Sequence, residues 1–586
     1  AKDKYIGLAR IYMALDDYPR ALEAVRHVED SRAFESFADA ISGAGLTGQS
    51  LFTYWELPKQ YILNRCLLET GDIGGARAGY DRLIEMPQTE QNGDIYWIIL
   101  FDRGRIAERE NQPQQAVEFY RRAVEIVERQ RATITSEASK IGFAGNKQDL
   151  YLRTISALFS LGRHRDAFEY AERAKARALV DMLAARQDLA LPSENTEYVR
   201  QTLERLEQAE KASRVESHRV STDSYRKQRG LALRLKRDLE ETAPDLASLV
   251  TVTACGAEEI RALLPPDEAL VEYYCSGDDL FAFVLTRDGL QGRKLTGERL
   301  AGDVFRFRKT LSDPSSSGYL EVSRSLYDRL IAPIEGMLDR RNLLIVPHGA
   351  LHYLPFCALH SGTEYLIDSH DIRMLPSSSV LRFLKERKQR RDNLFAVGNP
   401  DLGDPRLDLR FAQEEAWDIA RERPDATLLL REQATETAVK EHASDFKYLH
   451  FATHGKFFPE DPLSSGLLLA RDQSNDGMLT VAELYTLRLG ADLVTLSACE
   501  TALGRVENGD DVVGFTRGFL YAGASSIVSS LWSVDDRATC ELMKQFYRDL
   551  DGMGKREALL SAQRTVRKSY PHPFYWAAFQ ITGTAR

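Results

Sequence analysis

An α-helical array followed by an α/β domain is the fold class this sequence predicts, and three observations predict it. Small residues recur at linked helix positions through the first third, around Ala21, Ala76, Ala116 and Ala167. A charged stretch poor in apolar residues then occupies 189–249. From Gly256 onward, short apolar runs rich in β-branched and aromatic residues alternate with helical stretches, the pattern of a layered α/β domain. The resulting division is a helical solenoid at 1–188, a helical hairpin linker at 189–250, and an α/β domain in two parts, 251–390 and 391–586.

The helical register is clearest around Ala116. Gly104 and Ala107 belong to a first helix, Asn111-Gln-Pro forms the turn, and Tyr120 and Ala123 belong to a second helix. Leu8 to Tyr12 followed by the segment around Ala21 repeats the scheme, as do the stretches from Gly71 to Pro87 and from Leu161 to Ala174. The arrangement resembles a degenerate tetratricopeptide array. The intervals of 55, 40 and 51 residues exceed the roughly 34 of an undecorated repeat, so extra helix or loop is expected between units. Stacked helix pairs generally offer a concave surface to a peptide or protein.

In the linker, Leu203, Leu206, Leu233, Leu235 and Leu239 are spaced among many charges, as in an exposed hairpin or short coiled coil broken near Gly230. Its basic stretch, with Arg226, Lys227, Arg229, Arg234, Lys236 and Arg237, reads as a solvated helix face or as a contact for RNA or an acidic partner. Direct nucleic-acid contact stays open at this point.

In the α/β region, strands are expected at Ala269 to Tyr274, Leu280 to Leu285, Asn342 to Val346 and Asn393 to Val397. A hairpin is expected around Ser276-Gly-Asp-Asp279, and helix over most of 305–339. Two later runs, Lys447-Tyr-Leu-His-Phe-Ala-Thr-His-Gly455 and Asp492-Leu-Val-Thr-Leu-Ser-Ala-Cys-Glu-Thr501, read as neighbouring parallel strands separated by a helical stretch around Thr480 to Leu489. His454-Gly455 and Cys499 then stand just past two strand ends, where function gathers in such sheets. Singly, His454 would be a core histidine and Cys499 a small buried hydrophobe. Together they have the makings of a Cys-His dyad, in which the imidazole takes the thiol proton and later returns it to the leaving amine. They lie 45 residues apart, close to the roughly 50 of caspases and in the same order.

The combination of His-Gly with Leu-Ser-Ala-Cys-Glu-Thr resembles the CHAT family of caspase-like peptidases, distant relatives of separase. Leu344-Ile-Val-Pro-His-Gly-Ala-Leu-His-Tyr-Leu-Pro-Phe356, Ser529-Ser-Leu-Trp-Ser-Val-Asp-Asp536 and His572-Pro-Phe-Tyr-Trp-Ala-Ala-Phe579 extend the likeness over the C-terminal region. The resemblance implies a caspase-like three-layer α/β fold, with 251–390 as a pseudo-caspase half and 391–586 as the active half. It further implies Cys499 as nucleophile, His454 as base, and the backbone amides of Gly455 and Cys499 as oxyanion donors. The Arg-Gly that follows the caspase nucleophile is missing, so a preference for cleavage after aspartate is not implied. Trp532, Asp535 and Asp536 are candidates for a substrate pocket, an acidic group there suiting a basic side chain as in separase-like enzymes. Ser533-Val-Asp-Asp536 has equally the form of a helix capping box.

Composition sets outer bounds. A chain of 586 residues allows on the order of three or four compact units. Its formal net charge of −10 supplies no general attraction to nucleic acid. The longest weakly charged stretch, 512–532, contains Arg517 and reads as helix then strand, so no membrane span is expected. The six cysteines, Cys66, Cys255, Cys275, Cys357, Cys499 and Cys540, lack CxxC spacing, which fits a reducing, cytoplasmic compartment. The chain starts at Ala1 rather than methionine, so an upstream segment is compatible with it, and the lack of a signal peptide carries little weight. His348 and His352 are four apart but flank a turn, so no metal is expected there. The polar loop from Gly398 to Pro405 lacks the Lys-Ser/Thr of a phosphate-binding loop, and no cofactor is expected.

These features point to a regulated cysteine endopeptidase acting on a protein substrate. Its repeat region would recognise that substrate or an activating protein or ribonucleoprotein; relatives of this arrangement serve in bacterial defence and cell-death systems. An inactive peptidase-like scaffold, or a thiol enzyme acting on a non-protein acyl compound, are the alternatives.

Overall fold

The computed structural model describes residues 2–29, 56–90, 92–132, 147–175, 255–384, 393–458, 464–498, 504–507, 511–533 and 535–586. The chain forms two compact units, Ala1–Tyr170 and Ala171–Arg586. The linker expected at 189–250, with its basic stretch, lies outside the described residues.

The first unit is built of helix pairs: α1 Lys2–Ala14 with α2 Tyr18–Glu29, α3 Leu57–Thr70 with α4 Ile73–Glu85, α5 Gly93–Arg109 with α6 Pro113–Ala132, and α7 Gln148–Ser160 with α8 His164–Ala174. The four alanines on which the repeat reading rests, Ala21, Ala76, Ala116 and Ala167, are all fully buried. Each is the fourth residue of the second helix of its pair. Five positions before each stands a residue with left-handed backbone: Asp16 (φ 56°), Gly71 (96°), Asn111 (58°) and Gly162 (69°). Only Gly, Asn and Asp adopt this conformation at little cost. The following N–H closes the first helix in the same way each time, Asp17 to Tyr12 O at 2.8 Å, Asp72 to Leu67 O at 2.9 Å, Gln112 to Ala107 O at 2.8 Å and Arg163 to Leu158 O at 3.0 Å. Four copies of one Schellman-type stop thus set four hairpins.

Between α3, α4 and α5 the fully buried carboxylate of Asp102 accepts from Tyr80 Oη at 2.8 Å, from Arg105 Nη1 at 3.1 Å, and from Arg65. Gly104 on α5 lets the ring of Tyr120 on α6 lie against the backbone, since a Cβ there would come within 2.3 Å of Tyr120 Cε1. Gly104→Ala is therefore expected to destabilise this unit by about 1–3 kcal/mol through overpacking, outweighing the gain in helix propensity of under about 1 kcal/mol. Hydrogen exchange of α5 and α6 amides in the full chain reads the effect; unchanged protection would refute it.

The second unit, which takes in the last turn of α8 and, among the described residues, next helix α9 (Ala257–Leu263), is organised on one eleven-stranded sheet. Strands β1 (Glu268–Ser276), β2 (Asp279–Thr286) and β3 (Gly289–Thr296) form an antiparallel meander, and β4 (Asn342–Val346) and β5 (Asp371–Met374) continue parallel from β1. Between β3 and β4 lie α10 (Leu300–Leu311) and α11 (Tyr319–Leu330). The other side of the sheet contains β6 (Leu394–Pro400), β7 (Ala426–Arg431), β8 (Tyr448–Ala452), β12 (Leu493–Ser497) and β15 (Ser526–Ser530). Its helices are α12 (Arg410–Arg421), α13 (Glu436–His442), α14 (Phe515–Ala522), α15 (Asp536–Asp549) and α16 (Lys555–Ser569). The final strand, β16 (Phe579–Gly583), lies between β5 and β15, so the order is β3-β2-β1-β4-β5-β16-β15-β12-β8-β6-β7.

Because β16 is parallel to β5 but antiparallel to β15, the parallel strands of the two sides run in opposite directions. The carboxyl ends of β1 and β4 therefore lie on the opposite edge from those of β8 and β12. Strands β4, β8, β12 and β15 are buried almost throughout, which is why they appear in the sequence as continuous apolar runs. Two small sheets complete the unit, β9 (Gly455–Lys456) with β10 (Gly466–Leu468) and β11 (Met478–Thr480), and β13 (Gly504–Glu507) with β14 (Asp511–Gly514).

The expected strands, the hairpin at Ser276 to Asp279 and the helices of 305–339 are present. The helix expected over Thr480 to Leu489 is one turn only, Val481–Leu484, held by a reciprocal cap between Thr480 and Glu483. Strand β3 has no counterpart in the sequence reading; Gly-Leu-Gln-Gly-Arg-Lys-Leu-Thr is largely polar because the strand closes the sheet edge. Among the described residues no helix is long and apolar enough to cross a membrane.

Candidate active site

Strands β8 and β12 are parallel neighbours, paired from Tyr448↔Leu493 to Ala452↔Ser497. His454 stands two residues past the end of β8. Cys499 lies outside the described residues. The residue before it, Ala498, is buried, and its carbonyl accepts a hydrogen bond from Ser530 Oγ at the end of β15.

Two hydrogen bonds and a strand pairing hold the turn that carries His454. Thr453 Oγ1 donates to Leu468 O, Leu468 N–H donates to His454 O at 2.9 Å, and β9 pairs with β10 through Gly455↔Leu467. Since hydrogen-bonded and non-hydrogen-bonded pairs alternate in an antiparallel ladder, the bond at 454/468 makes 455/467 a non-bonded pair. The N–H of Gly455 is consequently turned away from β10.

The half-buried imidazole of His454 places Nε2 2.8 Å from the carbonyl oxygen of Leu407. A carbonyl only accepts, so Nε2 carries the proton and Nδ1 is the basic nitrogen of the neutral ring. Leu407 ends a short 3₁₀ turn, Pro405–Leu407, in which Asp404 accepts from Arg406 N–H at 3.0 Å. The flanking loop is pinned by Leu409 N–H donating to Asn399 Oδ1 at 2.8 Å and by Arg431 bound to Asp408 at 2.7 Å. This loop, with the stretch Gly398 to Pro405, therefore positions the orienting group of the histidine. No side-chain pattern announces such a role, because the group is a backbone carbonyl.

Four residues before His454, on β8, His450 is completely buried, and its Nε2 lies 2.9 Å from Glu415 Oε1 of α12. The two atoms are close but not aligned as a hydrogen bond. Tyr547 of α15 meets the His450 ring edge-on with centroids 5.4 Å apart and donates its hydroxyl to Thr495 Oγ1 at 3.0 Å.

The three pocket candidates part company. Trp532 is 3 % exposed, belongs to the main core and donates its indole N–H to Phe574 O at 3.1 Å, so it packs the core instead of lining an open pocket. Asp535 is the N-cap of α15, accepting from Ala538 N–H at 2.9 Å. The cap expected from Ser533 thus falls two residues later. Asp536 is exposed at the first position of α15. Partial desolvation, with the charges of Asp535 and Glu415, pushes its carboxyl upward, and His454 acts in the opposite direction. Asp536 and Glu415 thereby share an electrostatic neighbourhood with His454. Among the described residues there is no group of three or more His, Cys, Asp or Glu arranged to hold a metal ion.

Residues 320–584 match the CHAT domain model. Tetratricopeptide repeat protein 28 of Homo sapiens and of Mus musculus are each 29 % identical to this chain over 322 residues, covering 44 % of it. The chain spans 13 % of the length of these curated relatives. Two crystal structures of the Saccharomyces cerevisiae separase-securin complex align with 99 % of this chain and 53 % of theirs, with TM-scores of 0.40 and 0.38 and identities of 10 % and 11 %. Residues 320–584 carry a CHAT domain, and helix pairs precede it along the chain.

Proposed function

We propose that this chain is a regulated cysteine endopeptidase in which Cys499 attacks the scissile carbonyl of a protein substrate and His454 handles the proton. The observation that carries the reading is the bond from His454 Nε2 to Leu407 O, which leaves Nδ1 to accept the thiol proton and to return it to the departing amine. The pairing of β8 with β12 supports it, because Cys499 is two residues past Ser497, a reach of at most about 7 Å. The outward N–H of Gly455 supports its role as an oxyanion donor, joined by the N–H of Cys499. One such donor typically contributes about 10²–10³ in rate. The chemistry needs no metal or cofactor.

The repeat unit is assigned the recognition of an activating protein or ribonucleoprotein, or of the substrate itself. The setting implied by the family resemblance is bacterial defence or cell-death signalling. A chain incubated with its partner and a proteome should yield new peptide N-termini that are missing with Cys499→Ala. Deleting 1–185 should abolish stimulation by the partner while thiol probes still label Cys499. Identical products from the native and Cys499→Ala chains would overturn the endopeptidase reading and leave the scaffold and the non-protein acyl enzyme, which labelling of Cys499 by an acylating thiol probe separates.

Asp536, with Glu415 behind it, supports a basic side chain on the residue before the cleaved bond. Asp536→Asn should lower kcat/KM on an Arg substrate at least about tenfold and leave a matched Met substrate within about twofold. Asp535→Ala should instead lower stability by about 1 kcal/mol, the usual effect of losing an N-cap, and reduce both substrates alike. Equal losses on both substrates for Asp536→Asn would remove it from the pocket.

A further inference from the structure

The opposite edge of the sheet carries a second thiol and imidazole. Cys275 lies at the end of β1 and His348 two residues past the end of β4, and these strands are parallel neighbours paired from Glu268↔Asn342 to Glu272↔Val346. Cys275 Sγ is 3.3 Å from His348 Nδ1. The same nitrogen accepts the N–H of Cys275 at 3.4 Å, which makes Nδ1 the basic atom of the neutral ring. The ring of Tyr274 lies beside the imidazole, centroids 4.6 Å apart. Gly349 follows with φ +56°, and a Cβ there would stand 3.3 Å from Cys275 Sγ, so glycine serves both the left-handed turn and the close approach of backbone to sulfur.

Cys275 differs from the other described cysteines. Cys66, Cys255, Cys357 and Cys540 are buried. Burial pushes the thiols of Cys66, Cys255 and Cys540 up to about 11 and that of Cys357 up to about 12, which keeps them protonated and inert. Cys275 is only partly buried and is the one described cysteine in contact with an imidazole. The buried Lys175 is engaged elsewhere, its Nζ 3.2 Å from Pro347 O and 3.5 Å from the fully buried carboxylate of Glu272, so its charge is matched there. The histidine base in contact with the sulfur is the feature that raises the thiolate fraction of Cys275.

We propose that Cys275, held against His348, is a second reactive thiol of this chain and a modification site for small disulfides of the glutathione type. His348 Nδ1 takes the proton from Cys275 Sγ, and the thiolate attacks one sulfur of the incoming disulfide. The new S–S bond forms at Cys275, the old one breaks, and the departing thiolate recovers the proton. The incoming disulfide is exchanged for a mixed disulfide, so no further oxidant is required.

The test uses the full chain with Cys499→Ala, which removes the thiol of the proposed active site and makes the outcome independent of that reading. Oxidised glutathione is added and adducts at each cysteine are followed by peptide mass spectrometry. Cys275 is expected to react at least about tenfold faster than Cys66, Cys255, Cys357 or Cys540. Adding His348→Gln should slow it at least about tenfold at pH 7, with the rates converging near pH 10, where a thiol ionises unaided. Equal adduct formation at all five cysteines, or a Cys275 rate indifferent to His348→Gln at pH 7, would overturn the proposal. Should His348→Gln fail to fold, the chain with His348 intact decides. A rise of less than about tenfold from pH 7 to pH 10 supports a preformed thiolate, and a larger rise, as for a free thiol of pKa about 8.5, overturns it.

Discussion

His454→Ala is expected to lower kcat/KM for proteolysis by at least about 10³, equivalent to about 4 kcal/mol of transition-state stabilisation, with little change in fold. The imidazole is half-buried just beyond the end of β8, and Nε2 is engaged by the Leu407 carbonyl. Its removal therefore leaves no buried charge unpaired and opens no cavity in the core. Cys499→Ala should produce a loss of the same order. The double variant should be no worse than either single one, because nucleophile and base act as a unit. Turnover is measured on one peptide substrate, beside hydrogen exchange of β8 as a check on folding. A tenth or more of native turnover in either single variant would sink the dyad.

The second large effect is on stability. Glu268 of β1 is fully buried and grips Arg373 of β5, with Arg373 Nε 2.8 Å from Glu268 Oε1, while Arg556 of α16 closes on the same carboxylate. Arg373 Nη1 also donates to Gly583 O of β16 at 2.7 Å. The cluster thus ties β1, β5 and α16 to the strand that joins the two sides of the sheet. Glu268→Ala leaves Arg373, 4 % exposed, without its counter-charge, and should cost about 3–5 kcal/mol. Faster exchange of β5 and β16 amides and a lower unfolding temperature would register it. A loss below about 1 kcal/mol would refute this account. Replacing both partners, as Glu268→Leu with Arg373→Met, should recover part of the loss, since two apolar groups avoid the desolvation of two charges.

The same cluster has a pH signature. Burial raises the Glu268 carboxyl, but its bonds and charge contacts with Arg373 and Arg556 outweigh burial and hold it below the usual carboxylate range. The folded state then binds this proton less readily than the unfolded chain. The stabilisation is present above the unfolded value of about 4.3 and is lost as pH falls through the lower folded value. The stability gap between the native chain and Glu268→Ala should therefore narrow on acidification below about pH 4.

How much was legible in the sequence depends on whether a feature is local. The four helix hairpins were legible because each is set by a left-handed residue and a buried alanine five positions later, a pattern contained in six residues. The parallel pairing of β8 with β12 was legible because both strands are buried on two faces and appear as unbroken apolar runs ending near His-Gly and Cys. By contrast, β3 escaped because an edge strand needs no apolar pattern, and the 480–489 helix was overcalled because its apolar residues pack a short turn. Trp532 shows the limit for single residues. Its place at the end of the strand beside those carrying His454 and Cys499 suggests a pocket, yet burial in the core and a hydrogen bond to the carbonyl of Phe574, distant in sequence, hold it inward.

The sequence by itself determined the order of helical repeats and α/β domain, the His454-Gly455 and Cys499 motif and its family resemblance. All of these are written in short-range periodicity and in residue types with distinctive chemistry. Only the tertiary structure decided the reversal of strand direction at β16, the carbonyl of Leu407 against His454, the cap at Asp535 and the meeting of Cys275 with His348. The physical reason is the same in most of these. A backbone carbonyl has no side-chain signature, a cap depends on where a helix begins, and a contact between residues 73 positions apart exists only once β1 and β4 have paired.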